Sequence, residues 1–153
     1  MKFETKETVV VPIDFSETSE SAVRSAIEMA QSPDSVRVVH VLPRDDSLGP
    51  GALWQEDHDK FRLEKATEHL SGFLREHQFE GVRRDILFGD PGSTIVKYAK
   101  DCGADLIVIP SHGYSGLKRL LLGSVAERVL RHAECPIYVL RRDVVAEGKE
   151  APE

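Results

Sequence analysis

The sequence predicts an α/β domain: a single open five-stranded parallel sheet with helices on both of its faces. Three observations lead to this prediction. Short, nearly unbroken apolar runs are typical of strands buried on both faces, amphipathic helical segments separate them, and glycine, proline or helix-capping residues stand at the junctions. Strand and helix patterns alternate strictly along the chain, and this alternation favours parallel strands joined by crossover helices.

The first third of the chain predicts a strand, a helix and a strand. Residues 8–13 are an apolar, valine-rich run that ends at Asp14. The residues from Ser16 to Ser19 supply helix-capping side chains before a helix over 22–30. A second valine-rich strand covers 35–42, and a polar loop with two prolines and two glycines follows it.

The middle third predicts a helix, a strand and a helix. Residues 57–78 form a long charged helical pattern. Its predicted packing positions are Phe61, Ala66, Leu70, Phe73 and Leu74. A third strand covers 82–87. The next helix begins at Gly89-Asp90-Pro91, where Asp90 is the predicted N-cap and the proline occupies the first turn.

The last third carries the pattern that points to a ligand. An apolar strand over 104–109 is followed by Ser111-His112-Gly113, nine further residues, and Gly123-Ser124 at the start of a helix; a last strand is predicted at 136–140. Glycine lets the main chain approach phosphate oxygens, and a helix start offers unpaired N–H groups at the positive end of the helix dipole. The loop therefore predicts an anion site, with a nucleotide as the anion.

Two further strand ends are expected at the same edge of the sheet as this loop. Asp14 follows the first strand and Val41 lies at the end of the second. Parallel sheets bind ligands beyond the carboxyl ends of their strands, where the strand order reverses. Plainer alternatives remain open: Ser124 and Glu127 fit a capping box that serves only its own helix, Asp14 fits an N-cap or a loop turn, and Val41 fits a core position.

Composition limits the function classes. At 153 residues the chain has the length of one domain, and its net charge of −6 argues against a nucleic-acid partner held by charge. No apolar stretch is long enough to cross a bilayer, and the charged N-terminus lacks the apolar centre of a signal peptide, so no membrane partner is expected. Cys102 and Cys135 lie far apart without metal-ligand spacing, which predicts reduced, packed thiols in a cytoplasmic protein.

Several motifs together resemble the universal stress protein family. In chain order they are 10–16 (Val-Val-Pro-Ile-Asp-Phe-Ser), 39–41, 89–91, 111–113 with 123–127, and 135–139. The resemblance covers nearly the whole chain, and it implies a Rossmann-like sheet with strand order 3-2-1-4-5 in a domain over 1–143. Residues 144–153 are then expected to form a polar C-terminal tail.

The resemblance also implies a nucleotide site. ATP-binding members of the family carry a glycine, two residues, a second glycine, nine residues, and a third glycine followed by serine or threonine. Gly113, Gly123 and Ser124 match the later positions, and with Val125 they are the implied phosphate cradle. Pro110 stands where the family has its first glycine, which lies against the ribose and the start of the phosphate chain. Proline has no N–H to donate at that position.

Residues of the first two strands complete the implied site. Pro12, Ile13 and Val41 match positions that enclose the adenine or hydrogen-bond to it, Val41 through its backbone. Asp14 matches an acidic residue that meets the ribose or a metal-linked phosphate. ATP is therefore the implied ligand, and magnesium would suit it, held mostly by phosphate oxygens and water.

Three functions remain under consideration. The first is an ATP-binding regulatory protein that acts as a homodimer through its last strand, Pro136 to Leu140. The second is a nucleotide-free dimeric interaction protein with an unidentified protein partner. The third, a slow ATP-hydrolysing enzyme, is disfavoured because the sequence offers no Ser-His-Asp ordering and no Walker lysine before Ser124. Four further residues could contact the ligand, although each could equally be an ordinary exposed surface residue: His112, Lys118, Arg119 and Trp54.

Overall fold

A computed structural model describes residues 4–45, 54–111 and 122–141. The strands are β1 (Val9–Pro12), β2 (Val36–Leu42), β3 (Arg83–Phe88), β4 (Leu106–Pro110) and β5 (Ile137–Leu140). The helices are α1 (Glu17–Met29), α2 (Gln55–Glu76), α3 (Pro91–Asp101) and α4 (Ser124–His132), and a 3-10 turn over Pro33–Ser35 precedes β2. The predicted order and type of these strands and helices are confirmed.

The five strands form one sheet in the order β3-β2-β1-β4-β5, and every paired neighbour runs parallel. The predicted fold class and strand order are therefore confirmed. The chain moves from β1 outward to β3 and then returns to the other side of β1 to add β4 and β5. This reversal places a switch point between the carboxyl ends of β1 and β4.

Each face of the sheet has its own apolar core, because successive strand residues point to opposite faces. Val9 and Val11 face the layer that contains α1 and α2, whereas Val10 and Ile107 face the layer that contains α3 and α4. These four strand residues are completely buried. The double burial explains why β1 is an unbroken apolar run rather than an alternating one.

Two helix predictions need correction. The first helix begins at Glu17, five residues before the predicted start, because Ser16 already has the extended backbone of an N-cap. Phe61 was expected to pack, but it is 57% exposed. Nine residues separate it from the buried Leu70, and at 3.6 residues per turn that spacing puts the two side chains on opposite sides of α2.

The two edges of the sheet differ in character. On β3, Arg83, Arg84 and Asp85 are exposed. On β5 no residue is charged, and Tyr138 is 43% exposed. Charged side chains on an edge strand oppose pairing with another chain, whereas an apolar edge favours it.

The described residues contain neither a membrane span nor a disulfide. None of their helices is both long and apolar enough to cross a bilayer. Cys102 and Cys135 are free and partly buried, and burial raises the pKa of each thiol above its usual value. Both are thus mainly protonated at neutral pH, as expected for packed cysteines rather than reactive ones.

Candidate functional site

The strands on either side of the switch point separate before they end. β1 and β4 pair only at Val9↔Leu106 and Val10↔Ile107, although β1 continues to Pro12 and β4 to Pro110. The gap that opens between them is called here the strand-end crevice. It is bounded by residues 12–14, Val41, residues 110–111 and the start of α4.

The backbone of Val41 faces the strand-end crevice. Alternate residues of a strand direct their N–H and C=O groups to opposite neighbours. Val39 accepts the Ile13 N–H at 2.8 Å on the β1 side, and Leu42 accepts the Gly89 N–H at 3.0 Å on the β3 side. Val41 therefore points toward β1, which has already ended, and no described hydrogen bond takes its N–H there. A paired donor and acceptor on an open strand edge suit the edge of a planar heterocycle.

Pro110 also faces the strand-end crevice. Ile107 and Ser111 donate their N–H groups to β5, at 3.0 Å to the Pro136 carbonyl and 2.9 Å to the Leu140 carbonyl. Pro110 has the opposite parity, so the N–H that proline lacks would have pointed toward β1. The proline thus leaves the β4–β5 ladder intact and removes one donor from the crevice.

The capping-box alternative for Ser124 is wrong. The N-cap of α4 is Gly123, with φ −63° and ψ 156°, and no side chain among the described residues caps this helix. Ser124 is the first helical residue and is exposed, and Val125 behind it is partly buried. Because Gly123 has no side chain, the N–H groups of the first turn are left for another acceptor.

A short hydrogen bond holds the ends of the glycine loop together. The Gly123 N–H donates to the Ser111 carbonyl at 2.7 Å, which fixes the start of α4 beside the end of β4. Four of the predicted contacts, Gly113, His112, Lys118 and Arg119, lie outside the described residues. Trp54 precedes α2 and is 64% exposed.

The neighbouring helix α3 is closed to anions, unlike α4. The Asp90 side chain accepts the Ser93 N–H at 3.0 Å and caps α3, as predicted. That hydrogen bond lowers the pKa of Asp90, so the carboxylate is charged at neutral pH. Arg128 of α4 lies 3.9 Å from the same carboxylate. An anion at this edge of the sheet would therefore be favoured at the start of α4 over the start of α3.

Asp14 forms the loop turn that the sequence left as an alternative, two residues before Ser16, which is the N-cap of α1. Its Oδ1 accepts the Ser16 N–H at 3.0 Å and the Ser19 hydroxyl at 3.3 Å. No described hydrogen bond uses the other oxygen, Oδ2, which remains available to a ribose hydroxyl. Pro12 and Ile13 are buried immediately before it, and the Ile13 carbonyl contacts Nδ1 of His40 at 2.8 Å.

Phe15 was not predicted as a site residue, yet it shapes the turn after Asp14. Its backbone has φ 63°, a left-handed conformation that costs a non-glycine residue about 1–2 kcal/mol. Its ring stacks on His69 with centroids 4.0 Å apart and contacts His40 at 4.7 Å and Phe73 at 5.8 Å. These ring contacts offset the backbone cost and hold Asp14 in place.

We expect Phe15→Gly to be less destabilising than Phe15→Ala, by about 1 kcal/mol in the free energy of unfolding. Both variants lose the ring, but only glycine adopts φ 63° without a Cβ clash. Urea denaturation of the two variants measures the difference. Equal stability, or a more stable alanine variant, would mean that the turn carries no strain.

The described residues contain no group of three or more His, Cys, Asp or Glu side chains placed to hold a metal ion. A metal at the strand-end crevice would thus depend on the ligand for most of its oxygens. The arrangement as a whole offers a strand edge for a base, a carboxylate for a sugar and a helix start for phosphate.

Comparison with known proteins identifies the family. Residues 6–141 match the model of the universal stress protein family. The chain belongs to that family. Universal stress protein MJ0531 of Methanocaldococcus jannaschii is 35% identical over 138 residues, which cover 88% of this chain and 81% of that protein. Universal stress protein MJ0577 of the same organism is 32% identical over 153 residues, covering 88% and 94%.

Solved structures of the family share the fold. The structure of MJ0577 has a TM-score of 0.73 at 29% identity and covers 90% of this universal stress protein and 97% of its own chain. The universal stress protein from Archaeoglobus fulgidus in complex with dAMP has a TM-score of 0.57 at 27% identity and covers 92% and 100%. That relative was solved in complex with an adenine nucleotide.

Proposed function

We propose that this universal stress protein binds ATP in the strand-end crevice and acts as a homodimeric regulatory protein of the cytoplasm. The observation that carries the proposal is the uncapped start of α4, held by the Gly123–Ser111 hydrogen bond at the switch point. The dAMP complex of the Archaeoglobus fulgidus relative supports an adenine nucleotide as the ligand class. The adenine would pair with the backbone of Val41, and the phosphates would meet the N–H groups of Ser124 and Val125.

Magnesium fits this proposal as a companion of the triphosphate. Asp14 Oδ2 is the carboxylate oxygen at the crevice that takes no part in the hydrogen bonds to Ser16 and Ser19. Because the described residues hold no further metal-ligand group, phosphate oxygens and water would complete the coordination. We expect removal of magnesium to weaken ATP binding more than AMP binding.

Nucleotide content tests the function directly. Protein purified from cells should release an adenine nucleotide on denaturation, detectable by chromatography. Calorimetric titration of stripped protein should then show one ATP per chain and much weaker binding of GTP, because guanine presents a different hydrogen-bonding edge to Val41. Protein that carries no nucleotide and shows no heat with ATP would contradict the proposal.

One observation favours the second candidate, a nucleotide-free interaction protein. Pro110 removes a donor from the side of β4 that faces the strand-end crevice. If that donor is indispensable, the protein would keep the family fold without the ligand. Titration of the wild-type protein with ATP separates the two candidates. Substitution of Pro110 then tests whether the missing donor limits ATP binding.

We expect Pro110→Gly to bind ATP about fivefold more tightly, which corresponds to about 1 kcal/mol for one net hydrogen bond. Pro110→Ala is the matched variant, since it also restores the N–H but keeps a Cβ. Equal gains in ATP affinity in both variants would mean that the restored N–H causes the effect. A gain in the glycine variant alone would mean that the proline ring limits binding by its size. Equal or weaker binding in both would mean that proline is adapted to the ligand.

A further inference from the structure

A groove separates α1 from α2 on the face of the sheet away from α4. It has a volume of about 890 Å³. It is lined by Phe15, Ser16, Glu17 and Glu20 on one side and by Lys65, Glu68, His69, Gly72, Phe73, Glu76 and His77 on the other. The α2 residues recur every three or four positions, so they form one continuous stripe, about 18 Å long at 1.5 Å per residue.

Gly72 leaves a bare stretch of helix backbone in this groove. A glycine inside a helix is less favourable than alanine, so its presence needs a reason. The fold does not supply one, because a Cβ at this position would meet no atom within 4 Å. The missing side chain leaves the helix backbone accessible, and glycine permits close approach of a ligand to the main chain.

Aromatic rings lie beside Gly72 in the groove. Phe73 is the next residue, and its ring packs edge-on against Phe15 with centroids 5.8 Å apart. His69 is stacked on Phe15 and so is held as part of the same surface. The groove thus offers apolar contact to a slim ligand that lies along α2.

The groove also carries an excess of negative charge. Four glutamates line it against one lysine, with His69 and His77 as the other titratable groups. Glu20 is committed to Arg24 at 2.7 Å and to His77 at 3.4 Å, and Glu68 lies 3.9 Å from Lys65 in an exposed pair. Glu76 has no ion pair with any described residue. The charge complements a cation, and the apolar strip between the carboxylates complements a hydrocarbon chain.

We propose that the groove between α1 and α2 binds a linear polyamine. Eight residues separate Glu68 from Glu76, about 12 Å along the helix axis. An extended aliphatic triamine has a comparable length, so its terminal ammonium groups reach both carboxylates while its methylenes cover Gly72 and Phe73. This inference is independent of the nucleotide proposal, because none of these side chains bounds the strand-end crevice. Phe15 lies in the turn between the groove and the crevice.

Spermidine is the probe for the test. Calorimetric titration of the full chain, stripped of nucleotide, should give one spermidine per chain. Glu68→Gln combined with Glu76→Gln should weaken binding at least tenfold. Glu56→Gln combined with Glu64→Gln is the matched control: it removes the same charge from the same helix at the same spacing, outside the groove, and should leave the affinity unchanged.

Gly72→Ala supplies a second, independent measurement. It should raise the melting temperature, since alanine favours the helix, and at the same time weaken spermidine binding. A lower melting temperature would mean that the glycine is structural, and the proposal would lose its main support. Equal losses in the two double variants would show general attraction to an acidic chain and would overturn the proposal, as would the absence of binding to the wild-type protein.

Discussion

Replacing Gly123 with aspartate is expected to weaken ATP binding on the order of 100-fold, because two like charges about 4 Å apart near a protein surface repel by up to about 4 kcal/mol. The same change should make the protein slightly more stable, by about 0.5 kcal/mol, since aspartate is a better N-cap than glycine. Gly123 already has the extended backbone of a cap residue, so the new side chain needs no rearrangement. Calorimetry with ATP and thermal unfolding measure the two effects.

Gly123→Asn is the control for this prediction. Asparagine caps a helix as well as aspartate does and has nearly the same size, but it carries no charge. We expect it to share the gain in stability and to lose only a small part of the affinity. Equal losses of ATP affinity in both variants would mean that the size of the new side chain, and not its charge, causes the effect. Unchanged ATP binding in the aspartate variant would mean that the phosphates do not bind at the start of α4.

Val139→Lys is expected to convert the proposed homodimer into monomers in light scattering. In the described part of the chain β5 pairs with β4 on one side only. Its other edge can therefore pair with the same strand of a second subunit. Antiparallel pairing of two such edges around a two-fold axis would satisfy the exposed backbone groups. A lysine in that seam would bring two like charges together.

A second variant separates dissociation from unfolding. Val139 packs against the core beneath α3 and α4, whereas Tyr138 is 43% exposed and does not. Tyr138→Lys should therefore give folded monomers with an unchanged circular dichroism spectrum. A charge reversal on the other edge, Arg84→Glu, should leave the stoichiometry unchanged. A wild-type protein that is monomeric at high micromolar concentration would contradict the proposed dimer.

The fold was predictable because its determinants are local patterns. Strands such as β1 are apolar on both faces, and helix starts such as Asp90-Pro91 are marked by capping chemistry. The boundaries of the helices were less predictable. The helix α1 starts at Glu17 because the Asp14 side chain accepts the N–H of the N-cap residue Ser16 and completes the turn before the helix. That contact depends on the path of the chain rather than on its composition.

The site was predictable in outline but not in its contacts. Sequence motifs placed Asp14, Val41 and Ser124 at one edge of the sheet, where their part in ligand binding stays a prediction. The capping box expected at Ser124 gave way to Gly123 as the N-cap. The left-handed backbone of Phe15 had no sequence signal, because the ring contacts with α2 and β2 that help to offset its cost arise only in the folded chain. The groove along Gly72 likewise arises from how α1 and α2 pack, which no pattern within either helix encodes.

The strand order has a consequence for how the protein is made. One edge of β1 can pair only after β4 has been synthesised. Val9 pairs with Leu106, and the N–H groups of Glu7 and Thr8 donate to the Asp105 carboxylate. During synthesis the β3-β2-β1 half can pair as soon as it leaves the ribosome, but β1 keeps one unpaired edge until almost a hundred further residues have followed. The strand-end crevice therefore forms late, after residue 124 has been added, and a ligand bound there would connect the late half of the chain to the early one.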